Sequence, residues 1–183
     1  MKEDCVKRQV RNNPLLNTKL CAKVDQKIIL NDTSKGDSRT SGGYPTLEEV
    51  YEATMDHIND VDRAMQFWIE EIQDRKGFHD WTKRDNFESE YGYLVTSDIR
   101  DDEFLASDWW YKHITQERHH LMDHVPTDVN LIDVLEMISD RVTAEKGRRG
   151  SINTNYLKIE PDVLMRAFWN TVTMLDQHTV RRD

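Results

Sequence analysis

The chain has 183 residues and a formal net charge of −9, a length that suits one domain with a real core. The negative balance argues against general attraction to long nucleic acids or anionic membranes, and no run approaches the roughly 18 apolar residues of a membrane span. The first twenty residues lack the apolar block of a secretory signal, so a soluble cytoplasmic protein is expected.

Residues 1 to 27 hold seven Lys or Arg against three acids, which leaves −13 for the rest of the chain. This basic arm reads as an exposed N-terminal segment, the first part of an irregular region 1–45 that precedes a helical domain, 46–183. Cys5 and Cys21 have no CxxC spacing and read as reduced thiols. QKIIL at 26–30 suits a short strand or extended arm, and the Gly, Ser, Asp and Pro content of 31–45 suits a loop.

From residue 46 the sequence becomes helical. Thr46 and Glu49 have capping-box spacing. Leu47, Tyr51, Thr54, Ile58, Val61, Met65, Trp68 and Ile72 then alternate steps of four and three, which predicts a long helix over 46–75 with a buried stripe, ended by Lys76-Gly77. Further helices are expected at 83–95, 103–124, 129–145 and 161–179, with KGRRGSINTN at 146–155 a loop. Sheet-like alternation is almost absent. The fold class expected is all-α, a compact bundle of about five or six helices.

Six of the seven histidines lie between positions 57 and 124, and four of them within twelve residues. Histidine at that density among acids raises the question of a metal. On a helix over 103–124, His113, Glu117, His120 and His124 would share one face, with His119 about 100° away. His57 lies beside the apolar stripe of the first helix. His79 and Asp80 are adjacent after a helix-ending glycine, and consecutive residues reach one ion only where the backbone turns. In the helix 129–145, the apolar face is read as Leu131, Val134, Leu135, Ile138 and Val142. That points Asp140 away from the core, beside Asp133 and Met137, with Asp133 the alternate acid.

Taken in order, His57, His79-Asp80, His113, His119-His120 and Asp140 resemble the HD-domain superfamily of helical metal-dependent phosphohydrolases. In that superfamily a lone histidine, an HD pair and a distant aspartate surround a divalent metal. The separations of 22 and 60 residues, His57 to His79 and Asp80 to Asp140, look like those of compact members. HDWTK resembles their HDxGK form, with Thr82 where glycine is usual and Lys83 as the phosphate-holding lysine. The run also looks like a family of small uncharacterised bacteriophage proteins, which would place it in the host cytoplasm. The resemblance covers about residues 46 to 145.

The resemblance implies a metal set of His57, His79, Asp80 and Asp140, with His113 and His120 available to a second ion and His119 open as the alternative to His120. Mixed imidazole and carboxylate donors suit Mn, Fe, Co, Ni or Zn, one ion or two. The function implied is hydrolysis of a nucleotide or related small phosphate ester. Lys83 would contact phosphate, Glu117 would orient an imidazole or accept a proton, and Arg118, Arg148 and Arg149 are weaker phosphate candidates. Two other readings fit the same residues. One is a diiron oxygenase on the same scaffold. The other is a non-enzymatic phage protein that binds a host partner. A homo-oligomer is compatible with either.

Overall fold

The computed structural model describes residues 27–154 and 158–182. Residues 1–26 of the basic arm, with both cysteines, lie outside the described residues. The fold is all-α, and the only strands among the described residues are two of three residues each. The helices are α1 (Leu47–Lys76), α2 (Trp81–Arg84), α3 (Tyr91–Thr96), α4 (Asp101–Leu105), α5 (Asp108–Gln116), α6 (Leu131–Arg149) and α7 (Pro161–His178).

The chain divides into two compact units. One runs to Met65 and resumes at Leu175, and the other is Gln66–Met174. In the first, β1 (Ile28–Leu30) pairs in parallel with β2 (Thr179–Arg181), so the short strand read from QKIIL forms. Asp60 on α1 ties this ribbon down. It accepts from Asn31 N at 3.0 Å and from Asn31 Nδ2 at 3.1 Å, and it is paired with Arg63, which also donates to Ile29 O.

The Thr46–Glu49 capping box forms, with Glu49 N to Thr46 Oγ1 at 3.2 Å and Thr46 N to Glu49 Oε2 at 2.7 Å. The burial expected for the α1 stripe does not follow. Leu47, Tyr51, Ile58, Val61, Met65 and Ile72 are exposed. Periodicity tells which side chains share a face, and it does not tell what covers that face.

The second unit has its core in Leu121, Val129, Val134, Met137, Val163 and Ala167. α7 is pinned to the start of α6, since Asn170 Nδ2 donates to Val129 O at 2.8 Å and Leu131 N donates to Thr171 Oγ1 at 2.9 Å. Asn130 caps α6 by accepting from Ile132 N and Asp133 N, and Asp133 Oδ2 accepts from Asn130 N at 2.9 Å.

Two expected helices are broken. The segment read as 83–95 is α2 and α3 separated by a turn in which Asn86 has φ 51°. Gly92 is needed where the chain resumes, because a Cβ there would stand 2.7 Å from Phe87 O. The segment read as 103–124 is α4 and α5, and the second starts at Ser107, whose hydroxyl accepts from Trp110 N at 3.1 Å. α5 ends at Gln116, and residues 117–124 follow as turns. His113, Glu117, His120 and His124 therefore do not form one helical face, and His124 is exposed.

α6 also presents a different face from the one its apolar residues suggest. Leu135 and Ile138 are exposed, while Ile132, Asp133, Val134 and Met137 are buried. The Asp133–Met137 side, with Glu136 and Asp140 beside it, faces inward because Asp133 finds cationic partners there.

Candidate metal centre

The backbone solves the problem of two adjacent ligands. Asp80 has φ 54° and ψ 31°, a left-handed conformation at the N-cap of α2, so the chain turns between the HD pair and the helix that follows. Non-glycine residues rarely adopt this conformation, and Asp is among those that tolerate it best. The turn sets His79 and Asp80 side by side, with His79 Nε2 3.5 Å from Asp80 Oδ2.

Around Asp80 the unit assembles four imidazoles. His79 Nε2 lies 3.6 Å from Asp140 Oδ1. His113 Nε2 and His119 Nε2 stand 3.8 Å and 3.7 Å from Asp80 Oδ1. His120 Nε2 is 2.8 Å from His113 Nε2. Three groups among the described residues have the spacing to hold a metal ion: His79, Asp80 and Asp140; Asp80, His113 and His120; His79, His119 and Glu136. His113, His119 and His120 are all buried.

Each ring has its Nδ1 directed at an oxygen. His113 Nδ1 is 2.6 Å from Thr82 Oγ1, whose own proton goes to Glu117 Oε1 at 2.8 Å, so the ring nitrogen must be the donor of that pair. His120 Nδ1 faces Asp123 Oδ2 at 3.3 Å, and His79 Nδ1 faces Glu136 Oε1 at 3.2 Å. His119 Nδ1 lies 3.3 Å from the same Glu136 oxygen, without the alignment of a hydrogen bond. With Nδ1 protonated, Nε2 carries a lone pair, and those of His79, His113 and His119 then face the Asp80 carboxylate while that of His120 faces His113.

Such an arrangement leaves electron-pair donors facing one another. Asp80 Oδ1 and both nitrogens of His119 are buried and have no hydrogen-bond partner. The two Nε2 atoms of His113 and His120, 2.8 Å apart, form a hydrogen bond when one ring carries its proton there, and face one cation together when both rings are Nδ1–H tautomers. Burial and the neighbouring His120 and Lys83 charges push His113 down to about 3, which keeps that ring neutral. His120 is also shifted down, by burial and His119. The donor set fits a divalent ion, with imidazole nitrogen and carboxylate oxygen together.

The surrounding charges hold Asp80 and Glu136 ionised. Burial works against an ionised Asp80, but Lys83 Nζ, 2.6 Å from Oδ2, keeps it below the usual carboxylate range. Glu136 is held low in the same way, with His119 and Arg75 outweighing burial. His119 is raised, since Glu136, Asp140 and Asp80 together outweigh its desolvation. Glu117 is pushed up by burial although it accepts from both Thr82 N and Thr82 Oγ1 at 2.8 Å.

Not every residue singled out in the sequence joins. His57 is exposed on α1, several turns before that helix ends, and belongs to none of the three groups. Asp133 is fully buried but committed elsewhere. It accepts from Arg75 at 2.6 Å and from Arg118 Nε and Nη2 at 2.8 Å each. Arg118 also donates to Asp128, so its guanidinium is occupied within the fold. Arg148 and Arg149 are in the last turn of α6, outside any loop, and bond to Ala144 O and Glu145 of their own helix.

The family model that matches the chain is DUF5662, a family of unknown function, over residues 46–165. The chain belongs to the DUF5662 family. No curated protein and no solved structure matches it. The span matched to DUF5662 begins at the cap of α1, ends inside α7 and contains every residue of the centre.

Glu136 and Thr82 are the residues that sequence reasoning missed. Glu136 stands one turn before Asp140, a spacing that puts both on one side of a helix, and that was the available signal. Thr82 was visible only as a departure from HDxGK.

Proposed function

We propose that this DUF5662 protein is a metal-dependent phosphohydrolase of HD type, acting on a nucleotide or related small phosphate ester. The observation that carries the reading is the convergence of the Nε2 atoms of His79, His113 and His119 on Asp80, whose Oδ1 is buried and unpartnered, with His120 Nε2 against that of His113. His79, Asp80 and Asp140 would hold one ion, and Asp80 with His113, His120 or His119 a second. The donors suit Mn, Fe, Co, Ni or Zn. A bound divalent ion would supply Lewis acidity, lowering the pKa of a water and offsetting charge on a phosphoryl oxygen.

The chain's own residues supply the rest. Lys83 is half-buried beside Asp80 and offers a compact cation to a phosphate oxygen on the open side of the site. Glu117 holds Thr82 and through it the His113 ring, so its work is to orient an imidazole. Trp109 stacks on His113 at 4.9 Å and excludes water from that side. His57, which belongs to the other unit and to none of the three groups, is not used in this reading.

The test uses protein purified without a histidine tag. Metal content is measured before and after incubation with Mn, Fe, Co, Ni and Zn, and nucleoside mono-, di- and triphosphates and cyclic nucleotides are screened for phosphate or nucleotide release. Metal-dependent release that is lost in His79→Ala and Asp80→Ala supports the reading. Failure to take up any of the five metals would sink it, and bound iron with oxygen uptake and no phosphate release would replace it with the oxygenase.

A further inference from the structure

One carboxylate oxygen serves two imidazoles. Glu136 Oε1 is 3.2 Å from His79 Nδ1 and 3.3 Å from His119 Nδ1, and these two rings lie 4.5 Å apart, tilted by 43°. His79 comes from the turn after α1 and His119 from the turn after α5, so Glu136 on α6 is where the two segments meet. The carboxylate is itself held, since Arg75 Nη1 reaches Glu136 Oε2 at 3.3 Å and Asp133 Oδ1 at 2.6 Å.

Free imidazole has no strong hold on which nitrogen keeps the proton, and the partner of one nitrogen decides the role of the other. We infer that Glu136 is a positioning residue: its hydrogen bond fixes His79 as the Nδ1–H tautomer, and its charge 3.3 Å from His119 Nδ1 favours the same tautomer there, so that both present Nε2 to the Asp80 carboxylate. The inference rests on the metal reading above for its purpose, but its structural content holds in the metal-free chain.

A competing role is open to Glu136, because its oxygen and the two Nδ1 atoms are themselves spaced to hold an ion. The geometry favours positioning. His79 Nδ1 and Glu136 Oε1 form an aligned hydrogen bond, and Nε2 of both rings faces Asp80. Were Glu136 the ligand, His79 and His119 would carry their protons on Nε2 toward Asp80, whose Oδ2 already accepts from Lys83.

Two measurements test this. Nitrogen-15 NMR of the histidine side chains in the metal-free protein, at a pH alkaline enough to keep the rings neutral, should show Nδ1–H tautomers for His79 and His119. Glu136→Ala should shift both toward the Nε2–H form, and Glu136→Gln, which keeps an acceptor oxygen, should retain them. Cobalt(II) then reads the consequence. Glu136→Ala should release the ion roughly 10 to 100 times faster than wild type, with an altered visible spectrum, and Glu136→Gln should restore both toward wild type.

Unchanged tautomers in Glu136→Ala would overturn the inference, whether or not that variant folds less stably. So would a Gln variant that behaves like Ala in spectrum and release, which is the result expected of a lost ligand. Wild type that takes up no cobalt, yet shows the Nδ1–H tautomers and their loss in Glu136→Ala, would sink the metal reading and leave the positioning role standing.

Discussion

Thr82 Oγ1 lies 2.6 Å from His113 Nδ1, so a side chain on α2 decides which nitrogen of a ring on α5 stays free. Thr82 is fully buried, and its hydroxyl also donates to Glu117. Thr82→Val keeps the shape and removes the hydroxyl, leaving His113 Nδ1 and the Glu117 carboxylate without that partner. The expected result is metal binding weakened by about 10 to 100 fold and a loss of about 1–3 kcal/mol of stability. Competition with a chelator and urea unfolding check the two parts. Unchanged affinity would show that Thr82 fills space only.

Asp80 combines a ligand's role with an unusual backbone. Asp80→Asn and Asp80→Gly both accommodate a φ of 54°. Asp80→Ala does not, and should cost about 1–2 kcal/mol of backbone strain beyond its other effects. All three should abolish stoichiometric metal. Circular dichroism with urea titration separates the effects: Asn and Gly variants unfold near the wild-type midpoint, and Ala unfolds earlier. Equal midpoints for Ala and Gly would mean that the turn carries no strain.

How much of this was legible before the structure varied by residue. α1 was readable to its cap because Thr46, Glu49 and a seven-turn periodicity agree. His79, Asp80, His113 and Asp140 were readable as an ordered set. The breaks inside 83–95 and 103–124 were not, because they come from the αL turn at Asn86 and the hydroxyl cap of Ser107, local choices that apolar spacing does not encode. The inward face of α6 was misread for a related reason. Leu135 and Ile138 outweigh Asp133 in hydropathy, but Arg75 and Arg118 make burying Asp133 favourable. Long-range partners are invisible to periodicity.

In the presence of a chelator the buried histidines should make stability depend on pH. His113 sits among Asp80, Lys83, His119, His120 and Thr82, and is held down to about 3 against an ordinary 6.5. Its folded value is depressed, so between 6.5 and about 3 the unfolded chain binds a proton that the folded chain does not. Stability is therefore present above 6.5 and lost as pH falls through that window, by about 2 kcal/mol between pH 7.5 and 5 for this one group. His119, shifted upward, works in the opposite sense. The comparison that isolates His113 is wild type against His113→Gln in urea titrations at both pH values. An equal pH dependence in the two proteins would show that the ring titrates normally.

Two aspartates on one helix should separate stability from metal binding. Asp140 is partly exposed and has His79 Nε2 at 3.6 Å, so Asp140→Ala should lower metal content while leaving the unfolding midpoint within about 0.5 kcal/mol of wild type. Asp133 is fully buried between Arg75 and Arg118 and also accepts from Asn130 N. Asp133→Ala leaves two guanidinium groups without their carboxylate and should cost about 3–5 kcal/mol. His57→Ala, on an exposed face of α1, should change neither quantity. Metal analysis of the three folded variants decides the assignment. Loss of metal in His57→Ala would restore the early histidine to the site, and retention in Asp140→Ala would leave the Asp80 face without its second carboxylate and shift the ion to the histidines of the α5 turn.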